Sequence, residues 1–465
     1  MFNKKRVFLF VALLLSVTRI ADAEIFVRWD RDDIPAQQSL GILTIVVPAK
    51  NATAVRNAVG RGYRVFLEVD GSALATFIPP AHPLAGIVVT GKTSAVELNR
   101  VRQRLAARGA RVLALEQGKW PHIRTNWVTS NKGVLQATRS SQQPWIENNR
   151  ALIRIMGGSP DSPRALTYAW QPITLSDQDE GPRIENYLVA IAEAGSFGAD
   201  LVLPLHQRFQ DRLLLGQPQA RAEWDDICRY LKFYSSNLPA RYEPVANIGV
   251  VTAEPMLWFE VVNLLGRHNL PFVLIDPAAL PKVSDAFKML IVLDQLPPAQ
   301  LGALAEFARK GGAVVLGGLK GASTANAPWR SAEPVNRNER RASYRLGEGR
   351  IVEILTPIAD PNTFALEMRQ LLGREQRAVE IWNGITFLVA PYREPGGTSV
   401  LLTALNYAAD PQPIQVRVPG TFSLVQYESP EEPAALLPHQ QRDGYTEFVL
   451  PGLRAGGRVF LTRVP

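Results

Sequence analysis

Residues able to do acid–base and binding chemistry crowd one stretch of the chain, RVLALEQGKWPHIR, positions 111–124. An apolar run, 112–115, reads as a short buried strand, and Glu116, Trp120, His122 and Arg124 follow it closely. A carboxylate beside an indole sits in a lowered local dielectric, which raises its pKa and suits a general acid. Alternatively Glu116 is a surface carboxylate paired with Lys119 or Arg124. Glycosidic cleavage uses two facing carboxylates, one protonated and one ionised. Asp177, Asp179 and Glu180 in the run SDQDE are the candidate counterparts, unless that run is simply a solvated loop. His206 ends the apolar run LVLPLH, either as a general base or as a hydrogen-bonded rim residue. Asp70 ends RVFLEVD, where it either caps the following turn or meets a ligand.

Aromatic residues fall at the same kind of position. Trp29, Trp120, Trp127, Trp145 and Trp170 stand at the ends of apolar runs or in the loops beside them. Such rings either stack on the C–H faces of sugars or pack the rim of the core. Gln142, Gln143, Asn148 and Arg150 around Trp145, and Gln171 beside Trp170, add donors and acceptors for hydroxyls. His122 and His206 have no second His or Cys at metal spacing. No HExxH, CxxC, GxSxG or phosphate-binding loop occurs. No metal or cofactor is expected.

Strands must carry these residues. Apolar runs at 25–29, 43–47, 64–69, 86–90, 111–115, 134–138, 165–170 and 201–205 are rich in Val, Ile and Leu without alternation. That pattern suits strands covered on both faces. Helical patterns at 52–60, 94–108, 144–155, 184–198 and 219–235 separate them. Ser94 followed by Glu97 is a capping-box signature, and Pro144 suits a first helical turn. Eight strands alternating with helices over residues 24–240 predict a (β/α)8 TIM barrel rather than an open doubly wound sheet. Prolines near 239 and 244 mark a linker. Buried strands at 247–252, 272–275, 289–293 and 313–316 then predict a flavodoxin-like α/β block over 244–320. From 345 to 465 short strands punctuated by Pro, Gly and Asp predict an antiparallel β-sandwich, beginning with a strand at 350–355.

The first 23 residues read as a secretory signal peptide. Lys4, Lys5 and Arg6 precede an apolar run at 7–17, and Ala21-Asp22-Ala23 is a small-residue cleavage site. Cleavage near Ala23 implies a secreted or periplasmic protein. It removes four positive charges and one negative, so the net charge falls from +8 to +5. No basic cluster with interleaved aromatics appears, which argues against nucleic acid as a partner. No later stretch reaches the ~20 apolar residues of a membrane span. The single cysteine, Cys228, cannot form an internal disulfide, so the fold rests on its cores.

The order of parts resembles that of secreted β-galactosidase-type glycoside hydrolases: signal, barrel, glutamine-amidotransferase-like trimerisation domain, β domain. NIGVVTAEP, PFVLID, KMLIVLDQ and EFARKGGAVVLGG carry the likeness in the middle block. TALNYAADPQPIQVRVPG and YTEFVLPGLRAGGRVFL carry it at the end. The resemblance implies a saccharide partner, paired carboxylates at the barrel mouth and self-association through the middle block. Two departures accompany it. The seventh strand ends Tyr168-Ala169-Trp170-Gln171-Pro172, with no carboxylate where such enzymes have a Glu. The middle block has no nucleophilic Cys, so it is expected to be non-catalytic. The expectation is a carbohydrate-active protein, either a glycoside hydrolase or a catalytically inactive saccharide-binding or cell-envelope scaffold.

Overall fold

The computed structural model describes residues 24–80, 83–115, 129–131, 134–136, 150–157, 165–167, 181–236, 238–280, 287–317, 324–384, 386–407 and 411–463. The N-terminal part alternates strands and helices. In chain order these are β1 (Ile25–Arg28), β2 (Thr44–Pro48), α1 (Ala52–Gly60), β3 (Arg64–Asp70), β4 (Gly86–Thr90), α2 (Ala95–Ala106) and β5 (Arg111–Ala114). After the short strands β6 (Thr129–Asn131) and β7 (Val134–Gln136) come α3 (Arg150–Gly157), β8 (Ala165–Thr167), α4 (Ile184–Phe197), β9 (Asp200–Pro204), α5 (Gln207–Leu214) and α6 (Pro218–Tyr234). The capping box forms at the start of α2, where the Glu97 amide donates to Ser94 Oγ at 3.1 Å.

Among the described residues seven strands make one parallel sheet in the order β5-β4-β3-β2-β1-β9-β8. The first strand therefore pairs with both the second and the last. A strictly consecutive order seamed in this way is what curling a parallel sheet toward a barrel produces. The expected sixth strand at 134–138 behaves differently. Val134–Gln136 pairs antiparallel with Thr129–Asn131. Only Lys132 and Gly133 separate the two segments in sequence, and a short Gly-containing connection favours a hairpin over a crossover.

The two faces of the curled sheet are packed differently. Val27, Ile45, Val47, Val65, Leu67, Leu201 and Leu203 point outward into a large core shared with the helices. Phe26, Val46, Phe66, Val88, Leu113, Leu115 and Val202 form a separate cluster on the concave face. Burial on both sides explains the apolar runs without alternation.

A second parallel sheet follows: β10 (Ile248–Val251), α7 (Phe259–Arg267), β11 (Phe272–Ile275), β12 (Met289–Val292), α8 (Pro298–Arg309) and β13 (Ala313–Leu316). It continues through β14 (Arg341–Leu346) and β15 (Gly349–Ile354). The order is β11-β10-β12-β13-β15-β14 with the two-residue strand Asn336–Arg337 at the edge beyond β14; β15 is parallel to β13, and the pairings of β14 with β15 and with the edge strand are antiparallel. The strand expected at 350–355 to open the sandwich thus belongs to this sheet. Ile351 and Val352 enter the cores on opposite faces, as a central strand requires. A Cβ on Gly349 would meet the Gly312 carbonyl at 2.2 Å, so glycine allows the close approach.

Beyond Pro361–Leu372, a helix, two antiparallel sheets close over one core built from Val379, Phe387, Ile414, Phe448 and Leu461 among others. Phe387–Arg393, Val400–Asn406 and Gly456–Thr462 turn their other face, with Leu401 and Leu405, toward α4 and α6. Helix α4 is consequently buried nearly all round.

Candidate functional site

On the concave face of the N-terminal sheet, side chains stack in layers, as they do inside a parallel barrel. At the N-terminal end Arg111 bridges Glu24 and Asp200, and the Glu24 amide donates to Asp200 Oδ1 at 2.7 Å. The middle layer is apolar, with the Phe26 and Phe66 rings 4.7 Å apart across β2. Gly86 makes room for this pair, because a Cβ there would meet Phe66 at 2.3 Å.

The C-terminal layer is charged. Arg28 and Glu68 each follow a concave-face phenylalanine by two residues, so strand alternation turns both toward the same hollow. The Arg28 guanidinium binds Glu68 through Nε and Nη2 and reaches Asp30 Oδ2 at 3.1 Å. One guanidinium thus holds two carboxylates over an apolar floor. Burial opposes the Arg28 charge, but the bond to Glu68 and the charges of Glu68 and Asp30 outweigh it and hold its pKa above the ordinary value. The other oxygen of Asp30, Oδ1, is buried without a hydrogen-bond partner among the described residues.

Gln210, fully buried, locks this end of the seam. Its Oε1 accepts from the amides of Asp30 and Arg31, and its Nε2 donates to the Leu205 carbonyl at 2.8 Å. His206 stands next to it as the N-cap of α5, with Nδ1 accepting from the Arg208 amide at 3.3 Å. That acceptor role places the imidazole proton on Nε2. Burial, then the Arg208 charge, lowers the His206 pKa against the opposing pull of Asp30 and Asp211. Gly181, at φ +81°, passes so close that a Cβ would meet the ring at 2.5 Å. The backbone of His206 donates to Tyr187 Oη at 3.0 Å.

Among the residues singled out from sequence, His206 lies at this rim. Asp70 lies at the end of β3 but is occupied as a cap. Its Oδ1 accepts from the Ser72 amide at 2.8 Å and from Ser72 Oγ at 2.6 Å, and these bonds lower its pKa. Trp29 is core: it is fully buried and donates to the Asp33 carbonyl at 2.8 Å. Glu116, Trp120, His122, Arg124, Trp145, Trp170, Gln171, Asp177, Asp179 and Glu180 lie outside the described residues. Sequence reasoning missed Arg28, Asp30, Glu68 and Gln210. The signal for two of them was there: a lone charge two residues after Phe in IFVR and in VFLE.

No family model and no curated protein matches the chain. Among solved structures it is similar to α-L-fucosidase isoenzyme 2 from Paenibacillus thiaminolyticus, at 12% identity and a TM-score of 0.57. That likeness covers 95% of this chain and 100% of that one. A β-galactosidase from Rahnella sp. R3 gives 10% identity and a TM-score of 0.43 over 88% of this chain and 65% of its own. A rhamnosidase from Novosphingobium sp. PP1Y gives 13% and 0.44 over 80% and 39%. The chain has the architecture of glycoside hydrolases: a curled parallel α/β sheet followed by antiparallel sheets.

Proposed function

We propose that this is a secreted or periplasmic carbohydrate-active protein that binds a saccharide at the C-terminal end of its N-terminal sheet. The sheet is read as a (β/α)8 barrel, the second sheet as a non-catalytic flavodoxin-like domain able to self-associate, and residues 1–23 as a cleaved signal. The observation that best supports a site there is the charged layer of Arg28, Glu68 and Asp30 above an apolar floor. Pockets that orient polar ligands combine such a floor with a few convergent polar groups. In the hydrolytic reading Glu116 protonates the leaving oxygen, and Asp177, Asp179 or Glu180 acts as base or nucleophile. His206, Trp120, His122, Arg124, Trp145, Trp170 and Gln171 bind and orient the sugar around them.

A second reading, a non-catalytic saccharide-binding scaffold, has its own support. Arg28 neutralises two of the carboxylates at the site together, and Trp170 is followed by Gln171 rather than Glu. The test is the mature protein against aryl glycosides and polysaccharides, with Glu116→Gln in parallel. Hydrolysis predicts a loss of roughly 100-fold or more in turnover for that variant with binding retained. Turnover that Glu116→Gln leaves unchanged removes the assignment, and binding without turnover by the parent protein supports the scaffold.

A further inference from the structure

Beside His206 the N-terminal ends of α4, α5 and α6 enclose a cleft of about 440 Å³. The size falls within the range of small-ligand sites. Gly181 and Tyr187, which touch His206, also line this cleft, so it adjoins the proposed mouth.

Among the described residues the charges in the cleft do not cancel. Glu223 is taken by Arg212 at 2.9 Å and by Gln219 at 3.0 Å. Glu185 is taken by Arg454, at 3.1 Å, from the C-terminal part. Arg183 and Arg208 line the same cleft, are exposed, and have no carboxylate partner among the described residues. Two guanidiniums without a carboxylate partner among the described residues, in a polar cleft whose described carboxylates Glu185 and Glu223 are already engaged, suit an anion. Guanidinium binds planar carboxylates and sulfate esters through paired hydrogen bonds.

We propose that this cleft is a subsite for the acidic group of an anionic saccharide, a uronate carboxylate or a sulfate ester. The proposal rests on the saccharide reading of the adjoining mouth. It makes the preferred ligand a charged glycan, with Arg183 and Arg208 choosing charged over neutral sugars.

The experiment is calorimetric titration of the mature protein at about 0.15 M salt, where bulk surface attraction is largely screened. The ligands are a short oligogalacturonate, its methyl ester, and a cello-oligosaccharide of equal length with and without sulfate esters. The parent protein should bind at least one acidic ligand, and the ester or the unsulfated chain about tenfold more weakly or less. Arg183→Ala/Arg208→Ala should lose about tenfold or more in affinity for the acidic ligand. Arg337→Ala/Arg442→Ala, which removes the same charge from other sheets, should bind as the parent does. The two acidic arms tell carboxylate from sulfate. Equal losses in both double variants reduce the effect to net charge and overturn the subsite. Acidic and neutral ligands bound equally well overturn it while leaving the saccharide reading standing. Absence of binding by every charged and neutral glycan overturns both.

Discussion

The two parallel sheets end in carboxylates that are held in opposite ways. In the second sheet Asp294 follows β12 and is fixed by its own surroundings. Its Oδ2 accepts from Thr252 Oγ1 at 2.7 Å and the Ala253 amide at 2.6 Å, and its Oδ1 from Trp258 Nε1 at 2.8 Å. Thr252 and Ala253 follow β10, the neighbour of β12, so the carboxylate staples the crevice where ligands enter sheets of this topology. In the N-terminal sheet Glu68 and Asp30 depend on the guanidinium of Arg28, and one Asp30 oxygen is left without a bond among the described residues. A carboxylate saturated by backbone and indole donors serves the fold. One held by a single side chain above an apolar floor can exchange that partner for a ligand.

Breaking the staple should have the largest effect. Asp294→Ala removes three charge-assisted bonds and orphans their donors, an expected loss of about 3 kcal/mol. Urea unfolding measures it, and saccharide binding should not change. A loss below about 1 kcal/mol would void the contrast, since such a value belongs to an ordinary surface pair. Arg28→Met comes next. Glu68 and Asp30 side chains are 20% and 19% exposed, so water screens part of the repulsion. The expected loss is about 1–2 kcal/mol, below that of a fully buried pair. Arg28→Met/Glu68→Leu should recover part of it, and the double-mutant cycle measures the coupling. Ligand binding should suffer in both variants, unlike in Asp294→Ala.

The pH profile separates the two sites further. Burial pushes the Asp294 carboxyl up, but the bonds from Thr252, Trp258 and the Ala253 amide more than offset this and hold its pKa below the ordinary value. A depressed native pKa gives stability that is fully present above the unfolded value of about 3.9 and fades as pH falls through the native one. The gap between parent and Asp294→Ala should therefore be constant near neutrality and narrow in acid below about pH 4. Urea midpoints taken along that range test it; a gap that widens in acid would contradict the assigned direction.

The scaffold was legible where burial writes a pattern. Val, Ile and Leu runs located strands such as Gly86–Thr90 within a residue, because both faces of the sheet are covered. The pairing partner of a strand is not written locally. The segment around Ile351 and Val352 is as apolar as a sandwich strand, and only its contacts assign it to the second sheet. The same holds for Val134–Gln136, whose apolar residues entered a hairpin. At the site, the sequence marks strand ends and loops, where Asp70 and His206 lie. Arg28 and Glu68 sit inside strands, where alternation alone sends a charge toward the hollow instead of the outer core. Their partnership crosses β2 and joins residues far apart in sequence, which periodicity does not reveal.

The smallest expected effect concerns His206. Its Nδ1 caps α5, so His206→Ala should cost about 1 kcal/mol, whereas His206→Asn retains a cap acceptor and should stay within a few tenths of the parent at pH 7. Protonation converts Nδ1 from acceptor to donor and sets the ring against the Arg208 amide. Burial and Arg208 lower the pKa of this imidazole, while Asp30 and Asp211 pull it upward and Arg31 downward. Its contribution is therefore fully present above the unfolded value of about 6.5 and is lost as pH falls from there through the native value. The parent should lose stability relative to His206→Asn as pH falls below about 6.5, a difference that thermal melts resolve. Equal slopes would mean that the ring does not feel the cap. An Asn variant that is stable but binds saccharide poorly would instead put Nε2–H on the ligand and place His206 with Arg28 rather than with Asp294.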